Sequence, residues 1–202
     1  PEHDNLKGDN IYNSKGAIHY ITEQEISKAS QYLAEKIKSE KIVSLILGGP
    51  NKYYGFNSDQ IINIFSQIKS IFVSDGYKVI IIPSMRTPKE TIDLAIKEMG
   101  SCGHVVNKVD KQAYLSAYAL ANYVVVTCDS TSMISEAATS GKPIFVAHMK
   151  AKKNNYRFKR FFELFKQMGI TKDLGEKVET WTYNKHNEAQ RIAIEIKNKI
   201  KN

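Results

Sequence analysis

The chain has 202 residues, of which 42% are hydrophobic and 25% are charged, a composition typical of a globular protein with one substantial core. Its 29 Lys and Arg residues outnumber its 21 Asp and Glu residues, which gives a formal net charge of +8. This excess can attract nucleic acid, anionic lipid or phosphorylated small molecules, but no RNA-recognition or zinc-finger signature accompanies it, and no apolar run is long enough to cross a membrane. The composition therefore favours a phosphate-bearing small molecule as the partner and disfavours nucleic acid.

The first residue and the thiols bear on the cellular context. The chain begins with Pro rather than Met, and no signal-peptide pattern follows. We expect a cytoplasmic protein whose sequence continues upstream of this chain. Cys102 and Cys128 lie far apart and are expected to be free thiols, and the His residues show no metal-ligand spacing. Neither a metal site nor a cofactor is predicted.

Strand and helix patterns alternate from residue 22 onward. Residues 1–21 are polar and without a sustained period, so they are predicted to be a linker or crossing segment. Short apolar runs predict strands at Ile42–Leu47, Val79–Ile82, His104–Val106, Val124–Val126 and Ile144–Val146. Helical patterns run from Thr22 to about Ser39, from Asn57 or Ser58 to Gly76, from Thr87 to Met99, from Asp110 to about Ala121, from the turn after residue 128 to Gly141, from Phe158 to Gly169, and from His186 to about Ile200.

Two helix starts carry capping patterns. Thr22 with Glu25 fits a capping box, and Thr87 with Pro88 and Glu90 is predicted to supply an N-cap, a first helical residue and a second box. Strands joined by helical crossovers must be parallel. The sequence therefore predicts an α/β fold, a doubly wound, mainly parallel sheet with helices on both faces, over residues 22–185. Residues 186–202 are predicted to be a helix that packs back across this domain or onto another one.

Residues 124–146 are predicted to form a single βαβ unit. An apolar strand ends in a hydroxyl-rich turn, a short helix follows, and Gly141 is placed to end that helix in a left-handed conformation. Met133, Ile134, Ala137 and Ala138 form an apolar stripe, whereas Ser132, Ser135, Glu136 and Thr139 share the other side. Glu136 cannot complete a capping box, because the residue three positions before it is Met133. It is either a solvated carboxylate or a group that can bind a ribose diol.

Three loops fall at carboxyl ends of predicted strands, where open α/β sheets bind ligands. Gly48 and Gly49 allow backbone N–H groups to approach a ligand, although a tight turn explains them equally well and the pattern is neither a dinucleotide nor a P-loop fingerprint. Arg86 is predicted to lie directly before a helix N-terminus and to bind a diphosphate there, with Ser84 and Thr87 beside it. The third loop offers hydroxyl and N–H groups for phosphate from Asp129, Ser130, Thr131, Ser132 and Met133.

These motifs resemble those of the mitochondrial fission Elm-one-like family, a plant and bacterial group related to glycosyltransferases with two facing Rossmann-like (GT-B type) domains. The resemblance rests on Asp129-Ser130-x-Ser132-Met133-x-Ser135-Glu136-Ala137 with Gly141-Lys142-Pro143, on Gly48-Gly49, on Ser84-x-Arg86-Thr87-Pro88, on His3-Asp4 with Gly16-Ala17, and on Trp181-x-Tyr183 with Glu188. It covers nearly the whole chain as the carboxyl-terminal half of a family protein. Met85 stands where the family usually has a second Arg, and Lys185-His186 where it has Pro-Leu.

The resemblance implies a domain that binds the nucleotide part of a nucleotide sugar. Glu136 would bind the ribose, Ser130 to Met133 and Arg86 the diphosphate, and Gly49 the facing side. The acceptor site and any catalytic base would come from an amino-terminal domain, so no catalytic residue is assigned and this chain alone is expected to be inactive. A nicotinamide-dependent epimerase is disfavoured because the glycine fingerprint is missing.

A second hypothesis is a non-catalytic interaction module at a membrane surface. Residues 150–166 are basic and contain Phe158, Phe161, Phe162 and Phe165 at helical spacing, which suits peripheral membrane contact. The same spacing is typical of a core helix with a solvated basic side.

Overall fold

The computed structural model describes residues 1–8, 11–175 and 177–200. Residues 9 and 10 of the predicted linker and residues 201 and 202 of the predicted final segment lie outside the described residues. Six strands form one parallel sheet in the described chain: β1 (Ile42–Leu47), β2 (Lys78–Pro83), β3 (Gly103–Val105), β4 (Tyr123–Thr127), β5 (Ile144–Ala147) and β6 (Thr171–Asp173). The sheet order is β3-β2-β1-β4-β5-β6, which confirms the doubly wound α/β fold.

The helices cover both faces of this sheet. They are α1 (Glu23–Lys28), α2 (Gln31–Ile37), α3 (Ser58–Ile68), α4 (Lys89–Met99), α5 (Lys111–Leu120), α6 (Thr131–Ala137), α7 (Tyr156–Gln167) and α8 (Glu188–Ile200). A π-helical turn at Lys69–Val73 extends α3, and short 3-10 turns occur at Glu2–Asp4, Gly100–Cys102 and Ala138–Ser140.

Strand β1 shows how one apolar run supplies two cores. Ile42 and Ile46 pack with residues of α1, α2, α5, α6 and α7, whereas Val43, Leu45 and Leu47 pack with residues of α3 and α4. All six residues of β1 are buried, as expected for a strand covered on both faces.

Two predictions about helix ends are wrong for identifiable reasons. The predicted helix over residues 22–39 is two helices, because the buried hydroxyl of Ser116 accepts a hydrogen bond from the backbone N–H of Leu33 at 3.1 Å and so replaces a bond of the helix ladder. The capping box of Thr22 and Glu25 is present as predicted. Thr87 does not cap α4, whose first residue is Lys89; the Thr87 hydroxyl donates instead to the carbonyl of Leu47 at 2.9 Å.

The three loops predicted to bind a ligand follow β1, β2 and β4, which are adjacent strands, so the loops lie together at the carboxyl edge of the sheet. Strands β1 and β4 are neighbours at the centre, and the chain crosses from β1 to β2 in one direction and from β4 to β5 in the other. A crevice at the carboxyl ends of such a pair is where open α/β sheets bind ligands. Among the described residues, no helix combines the length and apolar character needed to span a membrane.

Candidate functional site

Asp129, two residues after the end of β4, is the centre of the predicted site. Its carboxylate accepts a hydrogen bond from the backbone N–H of Gly49 at 3.0 Å and another from the Thr127 hydroxyl at 2.7 Å. The guanidinium of Arg86, which follows β2, lies 3.0 Å from the same carboxylate. The loops after β1, β2 and β4 therefore meet at one buried side chain, and Gly49, Arg86 and Asp129 are neighbours.

Burial determines the ionisation of Asp129. Its side chain is fully shielded from solvent, and this raises the pKa of the carboxyl group above its usual value, although the bonds from Thr127 and Gly49 and the charge of Arg86 act in the opposite direction. A buried carboxylate with these partners stabilises the arrangement of the loops. Its role in the structure is to hold the loops together, and its oxygens are already occupied.

The paired glycines are explained by close packing of the same loops. A Cβ atom on Gly48 would lie 2.1 Å from a carboxylate oxygen of Asp129, and one on Gly49 would lie 2.0 Å from the carbonyl oxygen of Arg86. The N–H of Gly48 donates to the Thr127 hydroxyl at 2.8 Å, and that of Gly49 donates to Asp129. Both N–H groups are thus used within the protein, which favours the tight turn among the two alternatives.

The loop after β2 is also fixed by internal bonds. The backbone N–H of Ser84 donates to the Thr87 hydroxyl at 2.8 Å. Arg86 donates to the carbonyl of Gly49 at 3.2 Å, while 42% of its side chain remains exposed. Because α4 begins at Lys89, Arg86 does not directly precede the helix as predicted. Its guanidinium has five N–H groups, so it retains donors that point to solvent.

The third loop leads into α6. Ser130 is the N-cap, and its hydroxyl accepts a hydrogen bond from the N–H of Met133 at 3.4 Å. Thr131 and Ser132 occupy the first helical positions, where backbone N–H groups have no acceptor in the helix. The side chain of Met133 is buried in the core, so only its backbone can face a ligand. The polar groups open to a ligand here are those of Ser130, Thr131 and Ser132.

Glu136 has a partner that sequence reasoning missed. The hydroxyl of Tyr114 on α5 donates to Oε2 of Glu136 at 2.5 Å, and burial together with the Glu136 charge raises the pKa of Tyr114 well above its usual value. Within the described chain, Oε1 of Glu136 accepts no hydrogen bond. The only sequence signal for this pair was the Tyr-rich composition of the predicted helix over residues 110–121.

Part of the polar side of α6 is covered by the N-terminal segment. Ser135 is 1% exposed, and its hydroxyl accepts a hydrogen bond from the N–H of Ala17 at 3.0 Å. Thr139, in the 3-10 turn after α6, is also 1% exposed, and its hydroxyl donates to the carbonyl of His186 at 3.3 Å. His19 contacts the carbonyl of Ser135 at 3.2 Å through Nε2. Of the polar residues on this side, Ser132 is exposed and Glu136 is partly exposed.

The N-terminal segment is fixed in turn by α8. Glu188 is 1% exposed and accepts a hydrogen bond from the N–H of Lys15 at 2.6 Å. Arg191 bonds both oxygens of Glu188 and also donates to the carbonyl of Asn13 at 2.8 Å. Residues 13–17 of the predicted linker therefore form hydrogen bonds to both α6 and α8. Among residues that the structure describes, no group of three His, Cys, Asp or Glu side chains is placed to hold a metal ion.

Comparison with known proteins relates the chain to one family. The family model described as Mitochondrial fission ELM1 matches residues 1–200. The uncharacterised protein RP120 of Rickettsia prowazekii is 31% identical over 209 residues, which cover 99% of this chain and 58% of that protein. The mitochondrial fission protein ELM1 of Arabidopsis thaliana is 24% identical over 206 residues, which cover 95% of this chain and 46% of that protein. The chain spans about half the length of these curated relatives.

Solved structures show the same fold. A Listeria monocytogenes protein provisionally described as a UDP-N-acetylglucosamine 2-epimerase aligns with a TM-score of 0.50 at 14% identity, over 92% of this chain and 42% of that one. The UDP-GlcNAc 2-epimerase of Neisseria meningitidis, solved with UDP-GlcNAc bound, aligns with a TM-score of 0.47 at 14% identity, over 87% and 48% of the two chains. At such identities the first likeness establishes a Rossmann-like fold of the GT-B type and nothing about the ligand.

Proposed function

The chain belongs to the mitochondrial fission ELM1 family, and we propose that it binds the nucleoside diphosphate part of a nucleotide sugar at the carboxyl edge of its sheet. The ligand would lie across the loops that follow β1 and β4. In this proposal the domain orients the nucleotide sugar and stabilises the charge of its diphosphate.

The observation that carries the proposal is the state of Glu136. Its Oε2 is occupied by Tyr114, whereas Oε1 has no hydrogen-bond partner in the part of the chain that the structure describes. A carboxylate held in one orientation by a partly buried phenol is suited to accept a hydrogen bond from a ribose hydroxyl. Glu136 lies about one helical turn after Ser132, so a nucleotide with its ribose at Glu136 would have its phosphates at the loop of Ser130 to Ser132.

The diphosphate would find its donors on two loops. Ser130 to Ser132 offer hydroxyl groups and the first N–H groups of α6, and Arg86 offers the donors that Asp129 and Gly49 do not use. Glycines 48 and 49 then act by letting the Arg86 loop approach the crevice closely.

Neighbouring proteins of the same fold are consistent with such a ligand, since the Listeria protein is described as acting on a UDP sugar. The curated relatives are about twice as long as this chain. We propose that the acceptor site and any catalytic base reside in the additional sequence of such full-length proteins, and that this chain alone binds its ligand without turning it over.

Isothermal titration calorimetry with UDP, GDP and ADP tests the proposal. We expect saturable binding of at least one nucleotide and a loss of about tenfold in affinity for Glu136→Ala, which removes a hydrogen bond to a charged group. Glu35→Ala is the matched control, because Glu35 is an exposed carboxylate on α2. No binding of any of the three nucleotides, or equal binding by Glu136→Ala and the native chain, would refute the assignment.

The second candidate is a non-catalytic interaction module at a membrane surface. The Arabidopsis relative is named a mitochondrial fission protein, and Arg157, Lys159 and Lys166 of α7 are exposed. Phe161, Phe162 and Phe165 of α7 are buried in the core, which leaves only the basic side of the helix for a membrane. Any contact would therefore be electrostatic and sensitive to salt. Co-sedimentation with anionic vesicles at physiological salt distinguishes the candidates, because the nucleotide-binding reading alone predicts no retention.

A further inference from the structure

The loop between β5 and α7, residues 148–155, carries lysines at positions 150, 152 and 153 and is held in place by the loop after β1. We call it the basic loop. Ala151 pairs with Tyr54 in an isolated antiparallel bridge, and the N–H of Lys152 donates to the carbonyl of Tyr53 at 2.7 Å. The amide of Asn155 donates to the buried hydroxyl of Tyr54 at 2.8 Å. Holding several like charges in one conformation costs electrostatic energy, which binding of an anion would offset.

A cavity of about 540 Å³ opens between the basic loop and the start of α7. Tyr54 is part of its lining, and its charged or chargeable groups are His148, Lys153 and Lys159. None of the described residues that line it is acidic. The ammonium group of Lys153 lies 5.4 Å from the centre of the Tyr53 ring, and this cation–π contact positions the side chain. The charged residues that line the cavity are therefore basic, which suits an anionic group.

His148 is oriented towards this cavity by a carboxylate behind it. Its Nε2 lies 2.7 Å from Asp173 at the end of β6, and Lys166 of α7 bonds the other oxygen of Asp173 at 2.5 Å. Burial alone would raise the pKa of Asp173, but the bonds from Lys166 and His148 hold it below its usual value. Asp173 thus stays ionised and accepts a hydrogen bond from Nε2–H, which leaves Nδ1 without a partner among the described residues.

We propose that this cavity binds a phosphomonoester group, either of a soluble metabolite or of a lipid headgroup. Lys153 and Lys159 would neutralise the phosphate, and a P–OH group of the phosphomonoester would donate a hydrogen bond to Nδ1 of His148. The site follows β5 and shares no side chain with the crevice of Glu136 and Ser130, so it does not depend on the proposed nucleotide.

The test uses the ¹⁵N-labelled chain titrated with inorganic phosphate and observed by NMR. We expect saturable shifts of the backbone signals of residues 148–159. The double variant Lys153→Ala/Lys159→Ala should weaken binding about tenfold, whereas Lys97→Ala, which removes an exposed lysine on α4, should leave it unchanged. Both substituted lysines are exposed, so the fold is retained, as circular dichroism can verify.

A second arm distinguishes the source of the phosphate. Vesicles of phosphatidylcholine with phosphatidic acid are compared with vesicles of phosphatidylcholine alone at physiological salt. If the protein is retained only by vesicles with phosphatidic acid, and the double variant is not retained, the phosphate belongs to a lipid headgroup. If inorganic phosphate saturates the site and no vesicle retains the protein, the ligand is soluble. Either result supports the proposal. Neither response, or a response that the double variant leaves intact, overturns it. Chemical-shift changes confined to residues 130–136 also overturn the proposal. Phosphate binding that survives Glu136→Ala would show that this cavity binds independently of the nucleotide site, so the two proposals can fail separately.

Discussion

Tyr114 on α5 and Glu136 on α6 form a 2.5 Å hydrogen bond between a phenol and a carboxylate across two neighbouring helices. Because the pKa of Tyr114 is raised well above its usual value, the phenol remains a donor at all physiological pH values. Glu136 is therefore held in one position whether or not a ligand is present. A preorganised acceptor binds a hydroxyl group with less loss of side-chain entropy than a mobile one.

Removing the phenolic hydroxyl should weaken both the fold and ligand binding. We expect Tyr114→Phe to lower the free energy of unfolding by about 1 kcal/mol and to weaken the best nucleotide by about fivefold, less than Glu136→Ala, because the carboxylate remains but is no longer oriented. Denaturant titration and calorimetry measure the two effects. Tyr32→Phe is the matched control, since Tyr32 donates a 2.6 Å bond to Asp110 on the surface. If the two Phe variants bind nucleotide equally well, Tyr114 does not position Glu136.

The sequence was informative about Glu136 and silent about its environment. The absence of a capping role is a local property, since it depends on the residue three positions earlier, and it correctly left the carboxylate available for another contact. The burial of Ser135 by Ala17, more than 100 positions away in the chain, depends on tertiary packing that helical periodicity does not contain. The same limit applies to Tyr114, whose helix is predicted but whose partner is not.

The glycine pair gives a direct test of loop packing. Gly48→Ala should lower the free energy of unfolding by about 1–3 kcal/mol, because the added Cβ would lie 2.1 Å from the Asp129 carboxylate, which is itself fixed on three sides. Gly100→Ala is the control: nothing lies within 4 Å of its Cβ and its φ is −58°, so alanine should be neutral or stabilising by up to about 1 kcal/mol. Thermal denaturation of both variants decides. Equal stability would show that the loops can separate without cost.

Arg86 should matter for stability as well as for any phosphate. Arg86→Met leaves the buried Asp129 carboxylate without its cation, so we expect a loss of about 1–3 kcal/mol near neutral pH, moderated by the partial exposure of Arg86. The pKa of Asp129 is already raised by burial and should rise further in the variant. The deficit should then shrink as the pH falls and Asp129 becomes protonated. Denaturant titrations at several pH values measure this.

Arg157→Met is the comparison for that experiment, because Arg157 pairs with Asp4 on the surface. Such pairs contribute at most about 1 kcal/mol. A deficit of Arg86→Met that stays constant down to acid pH would contradict the assigned role of the ion pair.

The fold was predictable because its strands are continuous apolar runs separated by helical periods. Strand β6 was missed for the opposite reason: Thr171, Lys172 and Asp173 form an edge strand in which only the first residue is buried. The break between α1 and α2 was missed because it is caused by Ser116 on another helix. Local patterns thus gave the order of the elements, while contacts between distant residues determined their ends.

Acidification should destabilise the contact between α8 and the N-terminal segment that packs on α6, because this contact depends on the Glu188 carboxylate. Burial alone would raise the pKa of this carboxyl group, but the bonds from Arg191 and from the N–H of Lys15 hold it below its usual value of 4.5. A carboxyl group whose pKa is lower in the folded state contributes stability above its unfolded pKa, and this contribution is lost as the pH falls through the folded value. Nearby His186 has its pKa lowered by burial, so its effect occurs in a separate window that begins near its usual value of 6.5.

We therefore expect the free energy of unfolding of the native chain to fall in two steps on acidification, first below about pH 6.5 and again below about pH 4.5. Glu188→Gln should be less stable near neutral pH, because Arg191 loses the buried one of its two charged partners, and its curve should approach that of the native chain at low pH. Glu195→Gln removes the exposed partner of Arg191 and should change little at any pH. Urea titrations across this range provide the curves, and a Glu188→Gln curve parallel to the native one would show that the lowered pKa of Glu188 does not contribute to the acid sensitivity of the fold.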